Sequence, residues 1–191
     1  MSTLVLVLRT LSLLAFAGPM LLRLSTRHRE PGTRARRQSG GRAPVVANVS
    51  AFGLFFPSLL SFSGSSETSM ALALAVSGCL LALAGASLVL RSRAQLGAAW
   101  SFVPKADRVT GLVTTGPYRL VRHPIYLGLA ALAAGEALAF SSWPAFFIVL
   151  SGIVPTFVWR ARAEDRLLSR TFGERFDAYR RRTRMIIPRL L

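Results

Sequence analysis

Arg122 and His123 stand side by side directly before Pro124, and two tyrosines, Tyr118 and Tyr126, flank the pair. A proline at the first helical position loses nothing by lacking an N–H, so these residues gather at a helix N-terminus. The unpaired N–H groups and the dipole at such a terminus favour an anion. A carboxylate and a ring could be held there together. A basic cluster with a tyrosine belt at a membrane surface would present the same residues. Residue types alone leave both readings open.

Other chemistry has little to work with. His28 and His123 are the only histidines and Cys79 the only cysteine. A metal site is therefore not expected, and no disulfide can form within the chain. No G-x-G-x-x-G, P-loop, G-x-S-x-G or H-E-x-x-H occurs. Any cofactor would have to sit between helices and loops rather than on a Rossmann sheet.

The elements that must position these residues are apolar runs. Just over half of the 191 residues are hydrophobic, and they gather at residues 4–24, 44–62, 69–90, 124–140 and 143–159. A membrane span takes about 17–25 such residues, so five spans are expected. Arg9 interrupts the first, near enough to a helix end to snorkel to the interface. The stretch before it lacks a basic side chain and no A-x-A-like site follows, which favours a retained helix over a signal peptide.

The net charge of +16 would suggest nucleic acid in a soluble protein, but its placement argues otherwise. Basic side chains crowd the first loop (Arg27, Arg29, Arg34, Arg36, Arg37, Arg42), the third (Arg91, Arg93, Lys105, Arg108, Arg119, Arg122) and the tail from Arg160 to Arg189. The connections at 61–68 and 141–142 hold none. This is the positive-inside pattern: N-terminus outside, C-terminus cytoplasmic. The basic loops suit anionic lipid heads. No aromatic-basic interleaving accompanies them, so nucleic acid is not an expected partner.

Ala71, Ala75, Gly78, Ala82 and Gly85 share one face of the third span, either as a close-packing surface or as alanine-rich composition. Ser141-Ser142 leaves the last two spans room only for an antiparallel hairpin. Pro155 should bend the last one. From Arg160 the chain reads as an amphipathic helix stopped by Gly173. Glu136, the acid inside a span, is functional by default. Its place late in the fourth span, far from Arg122, assigns it to packing or the interface.

The run G-P-Y-R-L-V-R-H-P-I-Y-L-G over residues 116–128 resembles the signature of the isoprenylcysteine carboxyl methyltransferase and phospholipid methyltransferase group. Gln95-Leu96-Gly97 with Trp100 is similar to the family's L-G-x-x-W element. Glu164-Asp165, Leu168, Phe172-Gly173, Tyr179 and Ile187-Pro188 resemble its tail. The likeness covers residues 91–191; residues 1–90 share hydropathy alone. Asp165 stands where a second Glu is usual, and Phe176 where a Tyr is frequent.

The resemblance implies one all-α membrane domain over residues 1–191. Three N-terminal spans would fill 1–90 and a catalytic half 91–191, with a cytoplasmic pocket made by the last helices, the preceding loop and the C-terminal segment. It implies S-adenosylmethionine as methyl donor and a lipophilic or lipidated acceptor, with carboxyl O-methylation favoured. Carried over by position, Gly116, Tyr118, Val121, Arg122, His123, Pro124, Tyr126 and Glu164 would line the pocket. Arg122 and His123 would serve catalysis, and Glu164 would meet the donor's ammonium or ribose. An i, i+4 pair with Arg160 is the structural alternative for Glu164. Arg122 or another loop arginine could orient an acceptor carboxylate through two N–H bonds. Phospholipid or amine N-methylation, a sterol-reductase-like enzyme using NADPH, and a non-catalytic scaffold are the rival functions.

Overall fold

The structure is a computed structural model that describes residues 3–25, 42–64, 68–97 and 111–187. The basic loop at 26–41, the turn residues 65–67, Trp100, Lys105, Arg108 and Pro188 lie outside them. Helices dominate: α1 (Thr3–Ser25), α2 (Arg42–Ser61), α3 (Ser69–Leu96), α4 (Pro124–Ala139), α5 (Trp143–Ile148), α6 (Val154–Phe172) and α7 (Glu174–Arg182). The described residues contain no strand, only an isolated bridge between Val121 and Arg184.

Large apolar side chains point outward along these helices, among them Leu14, Val49, Leu54, Leu80 and Phe147. A water-soluble surface would not carry them so densely; the solvent they suit is lipid. Of the five expected spans, Ser69–Leu96 and the continuous Trp143–Phe172 are long and apolar enough to cross a membrane. Thr3–Phe16, Val46–Ser61 and Pro124–Ala139 are apolar but shorter. At about 1.5 Å per residue, the 16-residue α4 falls short of a hydrocarbon core about 30 Å thick. Its first turn belongs to the cluster described below.

The small residues of α3 are a packing surface. Ala71, Ala75, Gly78, Ala82 and Gly85 are all buried. A Cβ on Gly78 would lie 2.4 Å from the Ala139 nitrogen, and one on Gly135 would lie 2.6 Å from the Ala82 nitrogen. The backbones of α3 and α4 therefore touch, as small residues permit in lipid. Thr68 caps α3, its hydroxyl accepting from the Ala71 N–H at 3.1 Å. Ser141 takes a positive φ of 52°, and the chain reverses there into α5 as the two-serine connection requires.

Pro155 does not simply bend the last helix. A π-helical turn, Val149–Ile153, joins α5 to α6 immediately before it. A wider turn accommodates a proline that has no N–H to give and would crowd the preceding carbonyls. Beyond the apolar run that ends at 159 the helix continues as the expected amphipathic segment from Arg160, reaching Phe172. Gly173 (φ 55°) stops it, its N–H bonding the Ser169 carbonyl.

Arg9 does not snorkel. It is buried, and it donates to the carbonyls of Ala139 (3.0 Å), Gly64 (3.2 Å) and Phe140 (3.4 Å). Those oxygens end α4 or adjoin it, where a cation is favoured. Nearby, the fully buried Glu136 accepts from the Ser12 hydroxyl at 3.1 Å. Both lie at the end of α4 remote from Arg122.

Candidate active site

Two stretches of chain are brought together at the start of α4. After α7 the tail runs beside residues 121–123, with the Arg122 N–H donating to the Arg184 carbonyl (2.8 Å) and the His123 N–H to Met185 (2.9 Å). Buried Met185 and Ile186 anchor that tail in the core. The charged part of α6, beyond Trp159, lies across from it. Phe157 and Ala161 are buried on the same face that carries Glu164 and Asp165. This burial aims both carboxylates inward.

Asp165 is the hub. Arg122 gives it Nε at 3.2 Å and Nη2 at 2.9 Å, and His123 Nε2 lies 2.8 Å from its Oδ1. Arg122 Nη1 donates to the carbonyls of Arg180 (3.3 Å) and Thr183. Glu164 takes the other side of His123, with Oε2 3.3 Å from Nδ1, and accepts from the Tyr126 hydroxyl. Arg160 stands over the Tyr126 ring at 5.6 Å rather than simply alongside Glu164, and Phe157 stacks beneath that ring at 5.1 Å.

Electrostatics follow from this geometry. Burial works against a charged His123, but the Asp165 and Glu164 carboxylates outweigh it and lift the imidazole above its ordinary value. Burial likewise opposes ionised Asp165, yet His123 and Arg122 hold its carboxyl below the usual range. Both ring nitrogens of His123 face carboxylates, an arrangement that favours the protonated ring. When protonated it donates from both nitrogens and has no lone pair with which to take a further proton.

The sequence-derived residues divide into two groups. Arg122, His123, Tyr126 and Glu164 form one bonded cluster. Pro124 and Val121 are buried supports, Val121 through its bridge to Arg184. Tyr118 is buried, and its carbonyl accepts from the Tyr179 hydroxyl at 2.6 Å. Burial pushes the Tyr179 phenol up to about 12, so it remains a donor at neutral pH. Gly116 lies at the edge, in a turn with φ 60°, against the end of α3. A Cβ there would meet Gln95 Oε1 at 3.1 Å, while Gln95 Nε2 donates to Thr115 at 2.6 Å.

Asp165, Arg160 and Tyr179 were not among the site residues read from the sequence. One signal could have found Asp165: Glu164-Asp165 is the only pair of adjacent acids, set in a stretch crowded with arginine. Among the described residues no group of three His, Cys, Asp or Glu side chains could hold a metal. The unsatisfied capacity lies elsewhere. Each oxygen of Glu164 has one partner and can accept another bond. Arg122 has one Nη2 N–H left over, so it can offer an incoming anion a single bond rather than two.

A family model described as phospholipid methyltransferase matches residues 73–175, from α3 into α7. The nickel-cobalt-cadmium resistance protein NccN of Alcaligenes xylosoxydans is 42% identical over 88 residues, covering 42% of this chain and 38% of that protein. The cobalt-zinc-cadmium resistance protein CzcN of Cupriavidus metallidurans is 36% identical over 107 residues, covering 52% and 46%. Protein-S-isoprenylcysteine O-methyltransferase of Saccharomyces cerevisiae is 30% identical over 135 residues, covering 70% and 55%. The chain thus spans about half the length of these curated relatives or less. A solved eukaryotic intramembrane Ras methyltransferase, isoprenylcysteine carboxyl methyltransferase, superposes with a TM-score of 0.57 at 19% identity. That match covers 94% of this chain and 68% of the other, and it shows a shared fold. With more than half of its length matched by the family model, this membrane protein belongs to the phospholipid methyltransferase family.

Proposed function

We propose that the protein transfers a methyl group from S-adenosylmethionine to a carboxylate on a lipophilic acceptor. The observation that carries this reading is the bonded cluster of Arg122, His123, Tyr126, Glu164 and Asp165 at the end of lipid-facing helices. The donor set fits the cofactor. Glu164 keeps acceptor capacity for an ammonium or a ribose hydroxyl, whereas Asp165 is fully engaged by Arg122 and His123. When bound, S-adenosylmethionine supplies an electrophilic methyl on a sulfonium.

The chain's own residues then orient and exclude water. A carboxylate acceptor is ionised at neutral pH, its reference pKa being about 4, and needs no base. His123 cannot serve as one while it is protonated between its two acids. It acts as a positioning residue, fixing Glu164 and Asp165 relative to each other. Arg122 offers the acceptor one N–H, and the apolar surroundings keep competing water away. An amine acceptor would need a base, which the paired His123 does not provide. The relatives named for metal resistance lend this reading no metal chemistry of their own.

Calorimetric titration with S-adenosylhomocysteine and with NADPH tests the proposal. The first should bind and the second should not; the reverse would favour a reductase, and binding of neither a scaffold. Glu164→Gln keeps the bond from Tyr126 but removes charge. S-adenosylhomocysteine affinity should fall by about 1.5–3 kcal/mol, roughly tenfold to 150-fold. Unchanged affinity would remove Glu164 from the donor site.

The arginine distribution supports a cytoplasmic site, with the N-terminus outside. In a variant with Cys79 replaced by alanine, a cysteine at Ser63 should react with an impermeant maleimide from outside intact cells. One at Arg175 should react only after lysis. The opposite pattern would invert the topology.

A further inference from the structure

Arg162, Arg166 and Arg170 recur every four residues along α6 and are exposed. With Arg180 of α7, Ser169 and Asp165 they line a cavity of about 420 Å³. Among the described residues, no carboxylate pairs with the three α6 arginines. Asp165, the acid in the wall, is already taken by Arg122 and His123. Arg180 meets Asp177 only at 4.0 Å, in the open. Four guanidiniums thus converge on a concave space whose one negative charge is spent elsewhere.

Such a space repels the sulfonium and the ammonium of a cationic methyl donor, leaving its carboxylate as the one group on it that the guanidiniums would attract. It suits a phosphate, whose oxygens match guanidinium forks. Height along the helix indicates the source. At about 1.5 Å per residue, Arg162 and Arg166 lie roughly 5 and 10 Å beyond Trp159, the end of the apolar stretch. Headgroups occupy about 5–8 Å on each side of the hydrocarbon core. Arg162 therefore lies within that layer, and Arg166 starts just beyond it.

We propose that this cavity binds the phosphate of an anionic lipid from the adjoining leaflet, and that its occupancy steadies the neighbouring cluster. The coupling is direct. Asp165 through its side chain and Arg180 through its carbonyl both hold Arg122, and both also form the cavity wall. A phosphate held in the cavity fixes both of these wall residues, and through them Arg122.

The test needs no methyl transfer, so its result is independent of the catalytic reading. Full-length protein is placed in phosphatidylcholine nanodiscs with or without phosphatidylglycerol. Lipid retention is measured by native mass spectrometry, and the thermal midpoint is recorded. Wild type should retain phosphatidylglycerol and gain stability from it. The triple variant Arg162→Gln, Arg166→Gln, Arg170→Gln should bind it about tenfold more weakly, the equivalent of one lost charge-assisted bond. A charge-matched control, Arg175→Gln, Arg181→Gln, Arg182→Gln, should behave as wild type. Equal losses in both variants would reduce the effect to general surface charge and overturn the site. Inorganic phosphate at the same concentration should stabilise less than the lipid; equal stabilisation would overturn the lipid as its source.

Discussion

Asp165→Asn should cost this protein about 3–5 kcal/mol of stability, the usual penalty for stranding the partner of a buried ion pair. Arg122 retains 9% side-chain exposure and His123 5%, so neither can recover the loss through water. The amide can still accept bonds but brings no charge and presents an N–H towards two cations. The pH profile carries a second signature. His123 has a folded pKa above its unfolded value of about 6.5. Its pairing therefore stabilises fully below that value and is lost as pH rises through the folded pKa. Wild type should lose thermal stability as pH rises through that raised folded value, and Asp165→Asn should show a flatter profile. A variant as stable as wild type, with the same pH slope, would remove Asp165 from the centre of the site. Family likeness singles out Glu164 and marks Asp165 as the departure from pattern; in the structure Asp165 binds both Arg122 and His123, while Glu164 binds Tyr126 and His123.

Gly135→Leu should be comparably damaging by a different route. The new Cβ would start 2.6 Å from both the Ala82 nitrogen and the Gly78 oxygen. These are backbone atoms of a helix and cannot swing aside. Overpacking costs about 1–3 kcal/mol where a core can adjust, and sometimes more; here two helices must separate, so the upper part of that range is expected. Gly53→Ala is the matched control, since nothing lies within 4 Å of the place its Cβ would take. Alanine should be neutral there or stabilise by up to about 1 kcal/mol through helix propensity. Thermal midpoints in one detergent compare the two. Equal midpoints would show that close contact between α3 and α4 is not what holds the bundle.

Much of this was legible in the sequence because lipid enforces simple rules. Apolar runs had to be helices, two serines had to make a hairpin, and Pro124 had to open α4. The stripe of small residues on α3 was ambiguous, since composition alone could produce it. The complementary Gly128 and Gly135 on α4 decide the matter, and pairing between distant helices is not written in either one. Arg9 was misread for the same reason: snorkelling is a property of one helix, whereas capping the end of α4 needs the fold. At the site, Arg122, His123 and Tyr126 were accessible as neighbours in sequence. Asp165 lies 42 residues from His123, and its partnership depends on how α6 is rotated.

That rotation is set by the π turn at Val149–Ile153. Each such turn holds one residue more than an α turn, so everything beyond it is dialled round by about 100°. The last helix has two audiences. Its first half must offer leucine and phenylalanine to lipid, and its second half must deliver two acids to an arginine and a histidine. A single uniform winding would tie these two faces together in phase. The wider turn acts as a gearbox between them, letting the lipid-facing and acid-bearing halves be tuned independently within one continuous rod.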